Sequence, residues 1–136
     1  MASQLKVDTL TGVTTAGSIV VTGEGNSTTT NLQQGLCKVW CYFNGSGTVA
    51  VNDSFNQASL TDNSTGNYTI GFTNSMGNTN YAVTYKGGTT FDASNATRET
   101  ESPTLSTGSM DLYSGSTSTG SIDVANYHSH IQGDLA

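Results

Sequence analysis

The only two histidines of the chain stand two apart near its C-terminus, as His128-Ser129-His130. On a β-strand, residues i and i+2 leave the same face about 6.8 Å apart. Two imidazoles so spaced can share a metal if further ligands converge, and they can equally face solvent or a neighbouring subunit. Cys37 and Cys41 form a C-x3-C pair, which admits a redox or zinc reading. On a strand they share a face but lie about 13 Å apart, well beyond the roughly 7 Å a disulfide tolerates. Two reduced, buried thiols are therefore expected. The carboxylates Asp53 (NDSF) and Asp62 (LTDNSTGN) sit where Asp and Asn hydrogen-bond their own backbone in turns. A glycosidase pair needs one carboxyl raised by apolar surroundings, and neither has them. The run Asp62–Asn67 lacks the spaced acidic ligands and closing Glu of a calcium loop, so a hairpin turn is expected there. Tyr81, Tyr85, Phe91 and Tyr113 are candidates for stacking on a glycan. Strict alternation assigns Tyr81 and Tyr85 to a core, leaving Phe91 and Tyr113 as the contact candidates. No catalytic residue is assigned, and no cofactor is expected beyond a metal on the histidines.

Elements that would position these residues are almost all strands. Alternation marks residues 4–10, with Leu5 and Val7 on one face and Lys6 and Asp8 on the other, then 18–22, 48–51, 67–73, 80–86, 109–113 and 121–131. Residues 36–43 are the most apolar stretch. Cys37, Val39, Cys41 and Phe43 form one face, and Leu36, Lys38, Trp40 and Tyr42 the other, so both faces are expected to be covered. In the last strand, Tyr127 and Ile131 belong to the core, which turns His128 and His130 outward. A single helical turn is expected at 30–35, with Thr30 as N-cap, Gln33 closing a capping box and Gly35 ending it. Turn sequences such as Asn44-Gly45, Thr65-Gly66 and Gly87-Gly88 separate the strands.

Composition supports that reading. Thr, Ser, Gly and Asn number 23, 17, 16 and 12, half of the 136 residues, while charged residues make up 10%. With six Tyr, four Phe and one Trp, the chain is read as all-β, a β-sandwich or jelly-roll-like domain at 30–136 with an extended N-terminal β arm at 1–29. The arm has no aromatic residue and no core of its own; its alternative reading is as edge strands of the same sheet. Four basic residues and a net charge of -6 leave no footprint for nucleic acid. No apolar run approaches a membrane span, and the first residues carry no apolar signal region, so no secretion is expected.

The stretches QLKVDTLTG, GEGNSTTTNLQQGLCKVW, YFNGSGTVAVNDSFNQASLTDNSTGNYTIGFTNSM and the terminal QGDLA resemble short β-rich virion proteins of tailed marine phages, known as fibre-like or head-decoration modules. The resemblance covers about residues 1–85 and 126–136; its most specific part is the run from Trp40 through Asn44-Gly45 and Asp53-Ser54-Phe55-Asn56 to Gly66-Asn67-Tyr68-Thr69. It implies a non-enzymatic structural protein that forms a homotrimer, assembles in the bacterial host cytoplasm and resides in the virion. The first expectation is a capsid decoration (cement) protein or short head fibre that contacts the major capsid protein. This suits a chain of 136 residues with no long shaft. The second is a receptor-binding tail-fibre or tail-tip protein that recognises host surface glycan, with residues 86–125 facing the partner. His128 and His130 depart from the small or apolar residues of that family, and Cys37 and Cys41 from its simpler ones. Were the last strand to line a threefold axis, six imidazoles would suit iron or nickel, and three would suit zinc.

Overall fold

The computed structural model describes residues 4–12, 19–23, 28–88, 104–116 and 120–135. Among the described residues, strands β1 (Val20–Thr22) and β2 (Thr29–Asn31) pair with each other and with no other strand. β2 runs directly into α1 (Leu32–Gly35). The body that follows contains β3 (Cys37–Asn44), β4 (Ala50–Phe55), β5 (Gln57–Ser64), β6 (Asn67–Phe72), β7 (Ala82–Gly87), β8 (Thr104–Leu105), β9 (Ser109–Tyr113), β10 (Gly115–Ser116), β11 (Gly120–Ser121) and β12 (Tyr127–Gln132). Two four-stranded antiparallel sheets result, in the orders β4-β3-β12-β7 and β5-β6-β9-β8; β10 and β11 form a small ribbon. Apart from the single turn α1, the described elements are all strands, the all-β class expected from the sequence.

Alternation sets the faces. In β12, Tyr127, Ser129 and Ile131 are buried while His128, His130 and Gln132 are exposed. In β3, Val39, Cys41 and Phe43 turn the same way. They meet Tyr68, Ile70 and Phe72 of β6 and Met110 and Leu112 of β9 in one core, closed by Met76 and Tyr81. Phe43 stacks on its cross-strand partner Tyr127 with ring centroids 4.7 Å apart, and the edge of Tyr68 meets Phe43 at 5.2 Å. Such aromatic contacts add about 0.5–1.5 kcal/mol each beyond the area they bury.

Several expectations shift. Residues 4–10 form no strand, because alternation yields one only where a ladder partner is present, and none of the described residues pairs with them. The helical turn is capped by Asn31, whose Oδ1 accepts from the Gln34 N–H at 3.1 Å, while Thr30 lies in β2. The strand expected at 48–51 is Ala50–Phe55. That expected at 121–131 breaks into Ser121 of β11 and the later β12. β5 was not anticipated: QASLTDNS carries one large apolar residue, and only its ladder to β6 makes it a strand. The turn expected after Asp62 is present at Thr65-Gly66 and closes that ladder as a hairpin. Asp53 and Asp62 themselves lie on strands β4 and β5, not in turns. The outer face of β3 is only partly covered: Trp40 and Tyr42 are half-buried, Lys38 is buried and Leu36, just before the strand, is exposed.

Candidate functional site

The outward face of the β4-β3-β12-β7 sheet gathers three of the candidates above, His128, His130 and Asp53. Pairing register places Phe55, Trp40, His130 and Thr84 in one row across the four strands. Asp53, Tyr42, His128 and Lys86 form the next row. Tyr42 and His128 stack with centroids 4.5 Å apart and planes within 4°. The Tyr42 hydroxyl donates to Asn126 Oδ1 at 2.9 Å. The facing sides of these two rings are therefore spent on each other. Both histidines point outward and are exposed. Among the described residues, no group of three or more His, Cys, Asp or Glu side chains converges to hold a metal. Among the described residues of one chain, His128 and His130 thus lack the further ligands that a metal would require.

The cysteines are free. Cys41 is buried, and burial pushes its thiol up to about 11, so little of the nucleophilic thiolate forms at neutral pH. Cys37 is half-buried rather than buried, and its Sγ–H donates to the Val39 carbonyl at 3.2 Å.

Of the aromatic candidates, Tyr85 and Tyr113 meet, the Tyr85 hydroxyl donating toward the Tyr113 carbonyl at 3.5 Å, but no shared stacking surface of these rings is formed among the described residues. Tyr81 is in the core, and its hydroxyl donates toward the Ser106 carbonyl at 2.9 Å. Tyr85 is half-buried on β7. Tyr113, half-buried, ends β9 on the opposite sheet, opposite Asn67. Phe91 lies outside the described residues, as does much of 86–125.

At the end of the sandwich near Gly45 and Gly66, polar groups are tied into a closed set. The Tyr68 hydroxyl lies 2.6 Å from both the Gly45 carbonyl and Asp123 Oδ1, and the Gly66 N–H donates to the same carboxylate oxygen at 2.6 Å. Burial, and then the Asp123 carboxylate, hold the Tyr68 phenol well above its usual range. Ser114 Oγ donates to the Ile122 carbonyl at 2.6 Å and also hydrogen-bonds the Tyr127 hydroxyl. These partners are spent on one another, so the cluster is a structural clamp between β6, β12 and the connections around them.

A polar cleft opens at the other end. Gln34, Asn78, Asn80, Ala82, Gln132, Gly133 and Asp134 line about 390 Å³. Asp134 Oδ2 accepts from Gln34 Nε2 at 3.1 Å, while the buried Oδ1 has no hydrogen-bond partner. A buried acceptor left unpaired costs about 1–3 kcal/mol, so a donor entering the cleft would be favoured. Four amide side chains offer both donors and acceptors around it. Nothing in the local sequence QGDLA marks this carboxylate, because its orphaned oxygen depends on α1 and on the loop before β7 meeting it.

No family model, curated protein or solved structure matches this chain. The resemblance to phage virion proteins therefore rests on the sequence stretches alone.

Proposed function

We propose that the chain is a non-enzymatic structural protein of a tailed-phage virion, working as a homotrimeric capsid decoration or short head-fibre protein. The observation that carries this reading is the N-terminal segment. Leu5, Val7 and Leu10 are 83%, 56% and 58% exposed, and none of residues 4–12 belongs to a strand or helix. Burying one such side chain is worth about 1.5–3 kcal/mol, a gain left unrealised in the isolated chain. Copies of itself, or a shell protein such as the major capsid protein, would supply the missing surface. The sandwich, with its low charge and short polar side chains, would project from that anchor. Native mass spectrometry should give a trimer at micromolar concentration, and gel densitometry of purified particles should give hundreds of copies per particle. A stable monomer, or absence from the particles, would refute the proposal.

The runner-up, a receptor-binding tail protein recognising host surface glycan, is favoured by the cleft at Asp134. Amides and a free carboxylate oxygen match sugar hydroxyls, which both donate and accept. A glycan array probed with the full chain and with Asp134→Ala tests it: binding lost in the variant supports this reading, and no binding by either removes it.

A further inference from the structure

We propose that residues 4–10 of one copy add as a strand to the free edge of β4 in the next copy, joining three subunits head to tail. This inference deepens the homotrimer reading and rests on it. Among the described residues, exposed large apolar side chains fall in only two regions. One is the N-terminal region with Leu5, Val7, Leu10, Val20 and Val21, continued by Leu36; the other is β4, with Val51 at 38% and Phe55 at 53%. The chain thus carries an unburied apolar segment and an unburied apolar strand.

Each has the form that the other lacks. Residues 4–10 alternate as a strand does but pair with no described strand. β4 is an end strand, paired to β3 alone among the described strands, so one row of its backbone N–H and C=O groups faces outward. An extended segment that completes such a row gains main-chain hydrogen bonds along its whole length. The lengths agree as well: the arm offers seven residues and β4 has six.

Charge suggests the register, while exposed apolar surface selects this edge over that of β5, whose Asp62 is also exposed. Asp53 is exposed on the outer face of β4, and Lys6 is one of four basic residues in the chain. Placing Lys6 beside Asp53 turns Leu5 and Val7 to the opposite face. Val51, two residues from Asp53, reaches that core-side face because the ladder to β3 bulges between them and pairs Val51 with the inward-facing Phe43. The aliphatic stem of Lys6 then reaches Phe55, its diagonal neighbour. The opposite edge strand of the same sheet, β7, carries Lys86 and no exposed large apolar side chain, and neither do β5 and β8. An arm-to-edge contact joins two different surfaces, so it forms a ring when the rotation closes. In a ring of three, each arm finds one β4 edge and none is left open.

The test uses the full chain and compares wild type with Lys6→Glu, Asp53→Lys and the Lys6→Glu/Asp53→Lys pair by native mass spectrometry over a dilution series. Each single change sets like charges face to face and is expected to weaken association about tenfold or more, and the pair to recover most of the loss. Amide hydrogen exchange on the wild type gives a second readout: protection across Ala50–Phe55 should fall as the oligomer dissociates on dilution. A trimer unaffected by either single change, with exchange in Ala50–Phe55 independent of dilution, would overturn the arm-to-edge contact and leave the trimer standing. A wild-type chain that is monomeric throughout would overturn both.

Discussion

Asn56 holds the two sheets together through one side chain. It sits at φ 56°, a left-handed conformation, at the point where β4 of one sheet becomes β5 of the other. Its Nδ2 donates to the Lys38 carbonyl at 3.0 Å, and its Oδ1 accepts from the Asn74 N–H at 2.8 Å. The Thr73 N–H donates to the Asn56 carbonyl at 2.9 Å. Asn tolerates this backbone better than most residues, and its amide repays part of the cost. Asn56→Ala should destabilise by about 2–3 kcal/mol, combining backbone strain with lost hydrogen bonds, whereas Asn56→Gly should cost only about 1–2 because the strain is absent. Urea unfolding of the two variants measures the difference. The sequence D-S-F-N-Q did not mark this residue, because neither its backbone angle nor its partners at positions 38 and 74 can be seen locally.

At the scale of the element, the turns discriminate between two glycines that look alike in sequence. Gly47, in the connection between β3 and β4, has φ 70° and nothing within 4 Å of where a Cβ would stand. Gly66, in the β5–β6 hairpin, has φ 68°, and a Cβ there would meet the Ser114 carbonyl and the backbone of Ile122. Both positions carry the left-handed penalty of about 1–2 kcal/mol for an L-residue. Only Gly66 adds a collision with backbone that is itself fixed by the Ser114 N–H donating to the Gly66 carbonyl at 2.7 Å. Gly66→Ala should therefore cost at least about 2 kcal/mol more than Gly47→Ala, read as the difference in urea midpoints at constant slope. Turn chemistry was legible at Thr65-Gly66; the close approach of Ser114, 48 positions away, was not.

For the whole molecule, the core makes stability sensitive to alkali. Burial raises the Cys41 thiol to about 11 from an ordinary 9.0, and it raises the phenols of Tyr68, Tyr127 and Tyr81 above 10.0. In each case the folded state holds the proton more tightly than the unfolded chain does. The stabilisation is thus complete below the unfolded values and is lost as pH rises beyond them. Unfolding free energy should be insensitive to these four groups up to about pH 9 and fall steadily above it. Urea unfolding from pH 7 to 11 checks this, and Cys41→Ala should delay the onset of the fall by removing the group that titrates first.

The sequence by itself determined the chemical class of each surface and the faces of most strands. Period-two alternation at 37–43 and 127–131 placed Val39, Phe43, Tyr127 and Ile131 inside and His128 and His130 outside, because side-chain direction on a strand follows from local geometry alone. It likewise excluded a Cys37–Cys41 bond. Tertiary structure decided everything that depends on a partner distant in sequence. The polar residues 57–64 became a strand because β6 offered a ladder, and the apolar alternation at 4–10 did not because no described strand met it. Asp134 became an orphaned acceptor, and Phe55 an exposed edge residue, through packing between segments far apart in the chain. Hydrogen-bond partners and burial are properties of pairs, and the order of residues fixes a pair only after the fold has brought its members together.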